Sequence, residues 1–160
     1  YEGTDVGRGE EDMDLFVQHK LLDDEVRLAL PRDHPLASEP VADLTKLADE
    51  NWIAGCPRCR GHLLQMCATA GFSPNVGFET EDYVAVLGLV AEGLGVALIP
   101  DLILRTAHHR DVVTLPIQPA SRRTVSVVTT PDLQRVPAVQ ATIEALVEAA
   151  KAKPRVLAST

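Results

Sequence analysis

Four side chains with sulfur or imidazole groups fall within one short stretch of the sequence, namely Cys56, Cys59, His62 and Cys67. Cys56 and Cys59 form a Cys-x-x-Cys motif, and Pro57 between them suits the first position of a helix. A thiol at a helix N-terminus beside arginine side chains has a lowered pKa, which favours thiolate chemistry and a short-range disulfide. One hypothesis is therefore redox sensing by Cys56, Cys59 and Cys67.

Two other interpretations of this cysteine cluster stay open. Free cysteine is commonly buried and inert, so Cys67 can be a small core residue while Cys56 and Cys59 are incidental. Cys56, Cys59 and His62 recur every three residues, as metal ligands can, but a closed zinc site usually draws on a second, distant ligand pair, and none is visible. In an intact helix Cys59 and Cys67 would lie about 12 Å apart, too far for a disulfide. We predict no metal site and no cofactor.

Two predicted strand-to-helix turns offer a site for a small molecule, one at 55–60 and one at 79–83. In open α/β sheets, ligands bind beyond the carboxyl ends of the strands, where helix N-termini supply N–H groups. Arg58 and Arg60 favour a carboxylate-bearing metabolite, although exposed arginines can simply pair with local acids. The predicted effector-binding residues are Gly55, Cys56, Arg58, Cys59, Arg60, Glu79, Thr80, Asp82, Tyr83 and Pro100.

The elements that would position these turns alternate between strand and helix. Period-two spacing predicts a strand at 26–30 that ends at Pro31. Further strands are predicted at 51–54, 76–78, 95–99, 112–115 and 124–129. Helices are predicted at 41–47, from Pro57 to Gly71, from Glu81 to Gly93, briefly from Pro100, and from Pro137. Helical spacing predicts that Val84 faces inward on the third of these helices and that Leu146 belongs to a core-facing apolar stripe on the last. This alternation predicts an α/β fold with a parallel or mixed sheet covered by helices on both sides.

Composition narrows the class of protein. The chain has 160 residues, 46% hydrophobic and 24% charged, which is typical of a soluble globular protein. Its 15 basic and 23 acidic side chains give a net charge of −8, which disfavours binding to phosphate backbones. No apolar run is long enough to span a membrane, and three cysteines do not make a secreted disulfide framework. We expect a cytoplasmic protein that contacts neither membrane nor DNA through this segment.

Catalytic motifs are missing from the sequence. No Gly-x-Gly-x-x-Gly follows the first strand, and neither a P-loop nor a Gly-x-Ser-x-Gly motif occurs. The glycines at 93 and 95 lie between a helix and a strand, the wrong order for phosphate binding. We therefore predict a binding module without catalytic residues. The alternatives are a small Rossmann-like enzyme and a solute-binding protein of the periplasmic type, and the lack of a signal sequence disfavours the latter.

Three segments together resemble the effector-binding domain of LysR-type transcription regulators. They are LALPRDHPLA at 28–37, AGFSP at 70–74 leading into ETED at 79–82, and VAEGLGVALIP at 90–100. The resemblance covers roughly residues 21–150. It implies two Rossmann-like lobes of the kind found in periplasmic binding proteins, with an effector in the cleft between them. A peroxide-sensing branch of this family carries its reactive cysteine in the region of the cluster described above.

The resemblance also implies a division of the chain and a set of partners. Residues 1–22 would be a remnant of the first lobe, 23–122 the complete second lobe, and 123–160 a crossover strand and the C-terminal helix of the first lobe. The family's winged helix-turn-helix would lie outside this chain, which begins at Tyr1, so promoter DNA would be contacted only through that domain. The expected partners are a small-molecule effector and further copies of the chain, in a homodimer or homotetramer.

Overall fold

A computed structural model describes residues 15–151 of the chain, which divide into two compact units. One unit is Glu25–Arg122, and the other comprises 15–24 together with 123–151. In chain order the strands and helices are β1 (Val17–Pro31), β2 (Ala42–Asp43), β3 (Asn51–Ala54), α1 (Pro57–Thr69), β4 (Asn75–Glu79), α2 (Tyr83–Ala91), β5 (Ala97–Pro100), α3 (Asp101–Leu104), β6 (Val112–Thr129) and α4 (Pro137–Lys151). Short 3-10 helices lie at Leu44–Leu47 and Leu133–Arg135.

The sheets of the larger unit bring three strand ends to one edge. One sheet has the order β2-β6-β1-β5, with β1 and β5 antiparallel, and β3 and β4 form a parallel pair. A parallel bridge between Trp52 and Val96 joins β3 to the segment that enters β5. The N–H of Ile53 donates to the Val96 carbonyl at 2.9 Å, and the N–H of Val96 donates to the Asn51 carbonyl at 2.8 Å. The carboxyl ends of β3, β4 and β5 therefore lie at the same edge.

Two apolar clusters lie on opposite faces of these strands because successive side chains of a strand point to opposite sides. Trp52 belongs to the cluster that α1 covers with Leu63, Met66 and Cys67. The adjacent Ile53 belongs to the cluster that α2 covers, chiefly with Val86, Leu87 and Val90. The α/β fold with helices on both faces is thus confirmed, as are the helix ends at Gly71 and Gly93, which have φ of 90° and 72°.

The smaller unit contains the end of β6, the start of β1 and α4. Within it the buried carboxylate of Asp24 accepts a hydrogen bond from Arg123 Nε at 2.8 Å, and Thr124 Oγ1 donates to Asp23 at 3.0 Å. Ile143 is the buried residue of α4, while Leu146, predicted to face the core, is 42% exposed. The predicted apolar stripe of α4 is therefore only partly covered by the elements that the structure describes.

Several predicted elements differ from the observed ones. The strands predicted at 112–115 and 124–129 are one continuous strand, β6, whose polar middle (Gln118 to Thr124) gave no apolar alternation to read. The helix predicted at 41–47 is the strand β2 followed by a single 3-10 turn, capped by the Asp43 carboxylate, which accepts from the N–H of Thr45. Likewise α2 begins at Tyr83 rather than near Glu81, and Val84, predicted to point inward, is 71% exposed.

Candidate functional site

The turn between β3 and α1 is capped by a sulfur atom. Cys56 occupies the N-cap position, and its Sγ accepts a hydrogen bond from the N–H of Cys59 at 3.4 Å. Pro57 fills the first helical position, where its missing N–H leaves no unsatisfied donor. Gly55 allows a close approach, since a Cβ there would lie 3.1 Å from the Cβ of Cys59, tighter than an ordinary contact. The local sequence thus packs the two cysteines of the motif against each other.

The Sγ atoms of Cys56 and Cys59 are 2.8 Å apart, and both residues are partly exposed. Burial raises the pKa of the Cys56 thiol, but hydrogen bonds from the Cys59 side chain and from the backbone N–H groups of Cys59 and Arg58 outweigh it and lower this pKa. The pKa of Cys59 is raised, first by burial and then by its hydrogen bond to Cys56. The first negative charge of the pair therefore resides on Cys56.

Cys67 and His62 lie on α1 but have different surroundings from the cysteine pair. Cys67 is fully buried in the apolar cluster beneath α1, and burial raises the pKa of its thiol to about 11. His62 Nε2 lies 2.7 Å from Ser121 Oγ, and burial lowers the pKa of this imidazole. Within residues 15–151, no three His, Cys, Asp or Glu side chains are grouped so that they could hold a metal ion.

The turn between β4 and α2 is capped by a carboxylate. Asp82 Oδ1 accepts hydrogen bonds from the N–H groups of Val84 at 2.8 Å and of Ala85 at 3.4 Å. Thr80 Oγ1 accepts from the N–H of Asp82 at 3.2 Å, which fixes the turn before the helix. Because Asp82 already occupies these N–H groups, the start of α2 presents a negative charge rather than a free anion site.

The two turns meet at the common edge of β3 and β4. The N–H of Thr80 donates to the carbonyl of Ala54 at 3.0 Å, so the turn after β4 is bonded to the end of β3. The hydroxyl of Tyr83 lies 3.9 Å from Cys59 Sγ. Arg60 Nε lies 2.8 Å from Glu79 Oε1 in an ion pair whose two side chains are about half exposed. The structure therefore brings most of the predicted binding residues into one patch.

Pro100, the last of the predicted binding residues, ends β5 at the same edge of the sheets. It is buried and in register with Val26 of β1.

The two turns carry charges of both signs, the cations Arg58 and Arg60 and the carboxylates Glu79, Glu81 and Asp82. Because Arg60 is paired with Glu79, an anionic ligand at Arg60 would have to displace that carboxylate.

Sequence reasoning did not predict the hydrogen bond between His62 Nε2 and Ser121 Oγ, which links α1 to β6. The two residues are 59 positions apart, and no spacing rule joins a helix residue to a distant strand.

A separate groove of about 260 Å³ lies in the smaller unit, between Val127–Thr129 of β6 and Ala138, Val139, Thr142 and Ile143 of α4. Its lining is mostly apolar, so it offers none of the chemistry of the two turns.

No helix within residues 15–151 is long and apolar enough to cross a membrane.

Comparison with known proteins identifies one family: the LysR substrate binding domain matches residues 6–151. The transcriptional dual regulator GltC of Bacillus subtilis (strain 168) is 32% identical over 112 residues, which cover 68% of this chain and 37% of GltC. The chain spans less than half the length of such curated relatives.

Two solved structures show the same fold at low sequence identity. The regulatory domain of CcmR from Synechocystis PCC6803, in complex with 2-PG, has a TM-score of 0.76 and 22% identity, covering 87% of this chain and 69% of that one. The effector binding domain of QuiR, in complex with shikimate, has a TM-score of 0.71 and 23% identity, covering 89% and 69%.

Proposed function

Because the chain belongs to the family of LysR substrate-binding domains, we propose that it senses a small carboxylate-bearing effector for a bacterial transcription regulator. The effector would bind where the turns after β3 and β4 meet. The proposal rests on the meeting of these two turns. Tyr83 lies beside Cys59, and the N–H of Thr80 donates a hydrogen bond to the carbonyl of Ala54. These contacts support the proposal because small-molecule sites combine aromatic side chains with a few convergent polar groups.

A carboxylate ligand could bind this patch by replacing Glu79 as the ion-pair partner of Arg60. Exposed ion pairs contribute only about 0–1 kcal/mol, so little free energy opposes replacing Glu79 as the partner of Arg60 by a carboxylate of the effector. A bidentate arginine–carboxylate contact with a bound ligand would be shorter and better ordered than the exposed pair. CcmR and QuiR, whose structures hold 2-PG and shikimate, supply the compounds to test first.

The proposal is tested by thermal shift with shikimate and 2-PG, followed by a panel of small mono- and dicarboxylates. We expect at least one compound to stabilise the protein, Arg60→Ala to weaken that stabilisation, and Glu79→Gln to strengthen it because Arg60 is released. Arg110→Ala is the matched control, since the Arg110 side chain is 90% exposed and its ion pair within residues 15–151 is with its neighbour Asp111. Equal shifts in Arg60→Ala and the wild-type protein would refute a role for Arg60 in binding.

The partners of the whole regulator follow from the same proposal. This domain would contact no DNA itself, because its net charge of −8 repels phosphate backbones. A separate DNA-binding part of the regulator would carry that function, in the cytoplasm, and the domain would have no catalytic activity. It would form homodimers or homotetramers. Sedimentation of the purified chain tests the assembly, and a monomer at every concentration would argue against it.

A further inference from the structure

The cysteine pair at the start of α1 has a geometry that effector binding does not require. Cys56 and Cys59 hold the N-cap and third positions of one helical turn, with their Sγ atoms 2.8 Å apart. A disulfide needs a sulfur–sulfur distance of about 2.0 Å, so the pair would close with a side-chain movement of under about 1 Å. Both residues are partly exposed, whereas Cys67 is buried.

We propose that Cys56 and Cys59 form a dithiol–disulfide couple that exchanges with low-molecular-weight disulfides, as a second input to the domain. In this couple Cys56 is the attacking residue and Cys59 the resolving residue. The couple requires no effector, so it stands or falls independently of the function proposed above. It also differs from the three-cysteine hypothesis suggested by the sequence, because Cys67 takes no part.

The exchange proceeds in two balanced steps. The Cys56 thiolate attacks one sulfur of a small disulfide, a mixed disulfide forms on Cys56, and one small thiolate leaves. The Cys59 thiol then loses its proton to water and attacks the Cys56 sulfur. The bond between Cys56 and Cys59 forms and the second small thiolate leaves. In sum the two cysteines are oxidised, and the small disulfide is reduced to two thiols.

The assignment of the two roles follows from the hydrogen bonds around each sulfur. Cys56 Sγ accepts from the N–H of Cys59 at the positive end of α1, an arrangement that stabilises a thiolate. The same contacts lower the pKa of Cys56, while the pKa of Cys59 is raised. Cys59 thus stays protonated until a mixed disulfide on Cys56 turns the neighbouring Cys56 sulfur into an electrophile that Cys59 can attack.

Cys67 is excluded by position as well as by burial. It lies eight residues beyond Cys59 on α1, which at ~1.5 Å per residue places it about 12 Å away along the helix axis. Its side chain is fully buried among apolar residues, where a charged thiolate is disfavoured. A bridge to Cys67 would require α1 to unwind and to expose part of the core.

The test is intact-mass analysis with peptide mapping after the reduced protein is incubated with oxidised glutathione at neutral pH. The wild-type protein should lose two hydrogen atoms, form the bridge between Cys56 and Cys59, and return to the dithiol on reduction. Cys59→Ser should retain one glutathione on Cys56, because the resolving thiol is gone. Cys56→Ser, which keeps an oxygen at the N-cap, should form no bridge.

Cys67→Ala is the matched control and should behave as the wild-type protein does. Circular dichroism establishes that each variant is folded. The proposal is overturned if the folded wild-type protein keeps both thiols free, if the bridge disappears in Cys67→Ala, or if Cys56→Ser reacts with glutathione as fast as Cys59→Ser. A bridge mapped to Cys67 would likewise overturn it.

Discussion

The turns after β3 and β4 have the same architecture but caps of different chemistry. At the start of α2, the Asp82 carboxylate accepts from two N–H groups, the nearer at 2.8 Å. At the start of α1, the Cys56 sulfur accepts from the N–H of Cys59 at 3.4 Å. A carboxylate is permanently charged near neutral pH, whereas a thiol is charged only in part. The first cap mainly holds its helix, and the second also leaves a reactive atom at the surface.

This difference explains why the two turns contribute unequally to the candidate site. Asp82 neutralises the positive end of its own helix, so α2 offers Tyr83 and its loop residues rather than an anion-binding N-terminus. The start of α1 combines a weaker cap with Arg58 and Arg60. The next four changes test how far the two turns are separate and how strongly each cap acts.

The largest expected effect comes from Gly95→Ala, which should displace β3, the strand that leads into the turn with Cys56. A Cβ at Gly95 would lie 2.7 Å from the backbone oxygen of Asn51, at the start of β3. We expect a loss of about 2–3 kcal/mol in the free energy of unfolding, measured with urea, because backbone must move. Gly88→Ala, with open space around the new methyl group, is the control and should be neutral or stabilising. Equal unfolding midpoints for the two variants would contradict the close contact.

Removal of the carboxylate cap should have the next largest effect. Asp82→Ala leaves the N–H groups of Val84 and Ala85 without their acceptor and should destabilise the protein by about 1 kcal/mol in urea unfolding. Asp82→Asn keeps a side-chain oxygen at the cap and should recover most of the loss. If Asp82→Asn were as unstable as Asp82→Ala, the hydrogen bonds would not be the cause.

Removal of the sulfur cap should matter less. Because a thiol sulfur is a weak hydrogen-bond acceptor, we expect Cys56→Ala to lower the free energy of unfolding by about 0.5 kcal/mol or less. Cys56→Ser should be more stable than the wild-type protein by a few tenths of a kcal/mol, since serine is a preferred N-cap. The comparison between the turns breaks down if Cys56→Ala is as damaging as Asp82→Ala.

The smallest effect is the pH dependence of the cap. The pKa of Cys56 is lower in the folded protein, so its ionisation adds stability that is present above its ordinary pKa and is lost as the pH falls through the folded value. Iodoacetamide reacts with the thiolate form of cysteine. The alkylation rate should therefore reach half its maximum at a lower pH for Cys56, whose pKa is lowered, than for Cys59, whose pKa is raised. Cys67, with a pKa of about 11, should stay unmodified at neutral pH. The opposite order of Cys56 and Cys59 would refute the assignment of the thiolate.

Local patterns in the sequence predicted the elements that carry the site. The strand Asn51–Ala54 and the helix starting at Pro57 were correct, because a short apolar run and an N-terminal proline are local signals. The continuous strand β6 was missed, since its middle is polar and lies within an exposed stretch. The inward position of Val84 was wrong because packing buries the face of α2 that carries Val86, Leu87 and Val90 instead.

By itself, the sequence determined the α/β class, the two turns and the types of residue that they carry. These properties depend on neighbours a few positions apart, so spacing is enough to read them. Only the tertiary structure decided which side chains meet: Cys56 with Cys59 rather than Cys67, Arg60 with Glu79, and Tyr83 with Cys59. Strand pairing and helix packing set these distances, because they join residues that are far apart along the chain.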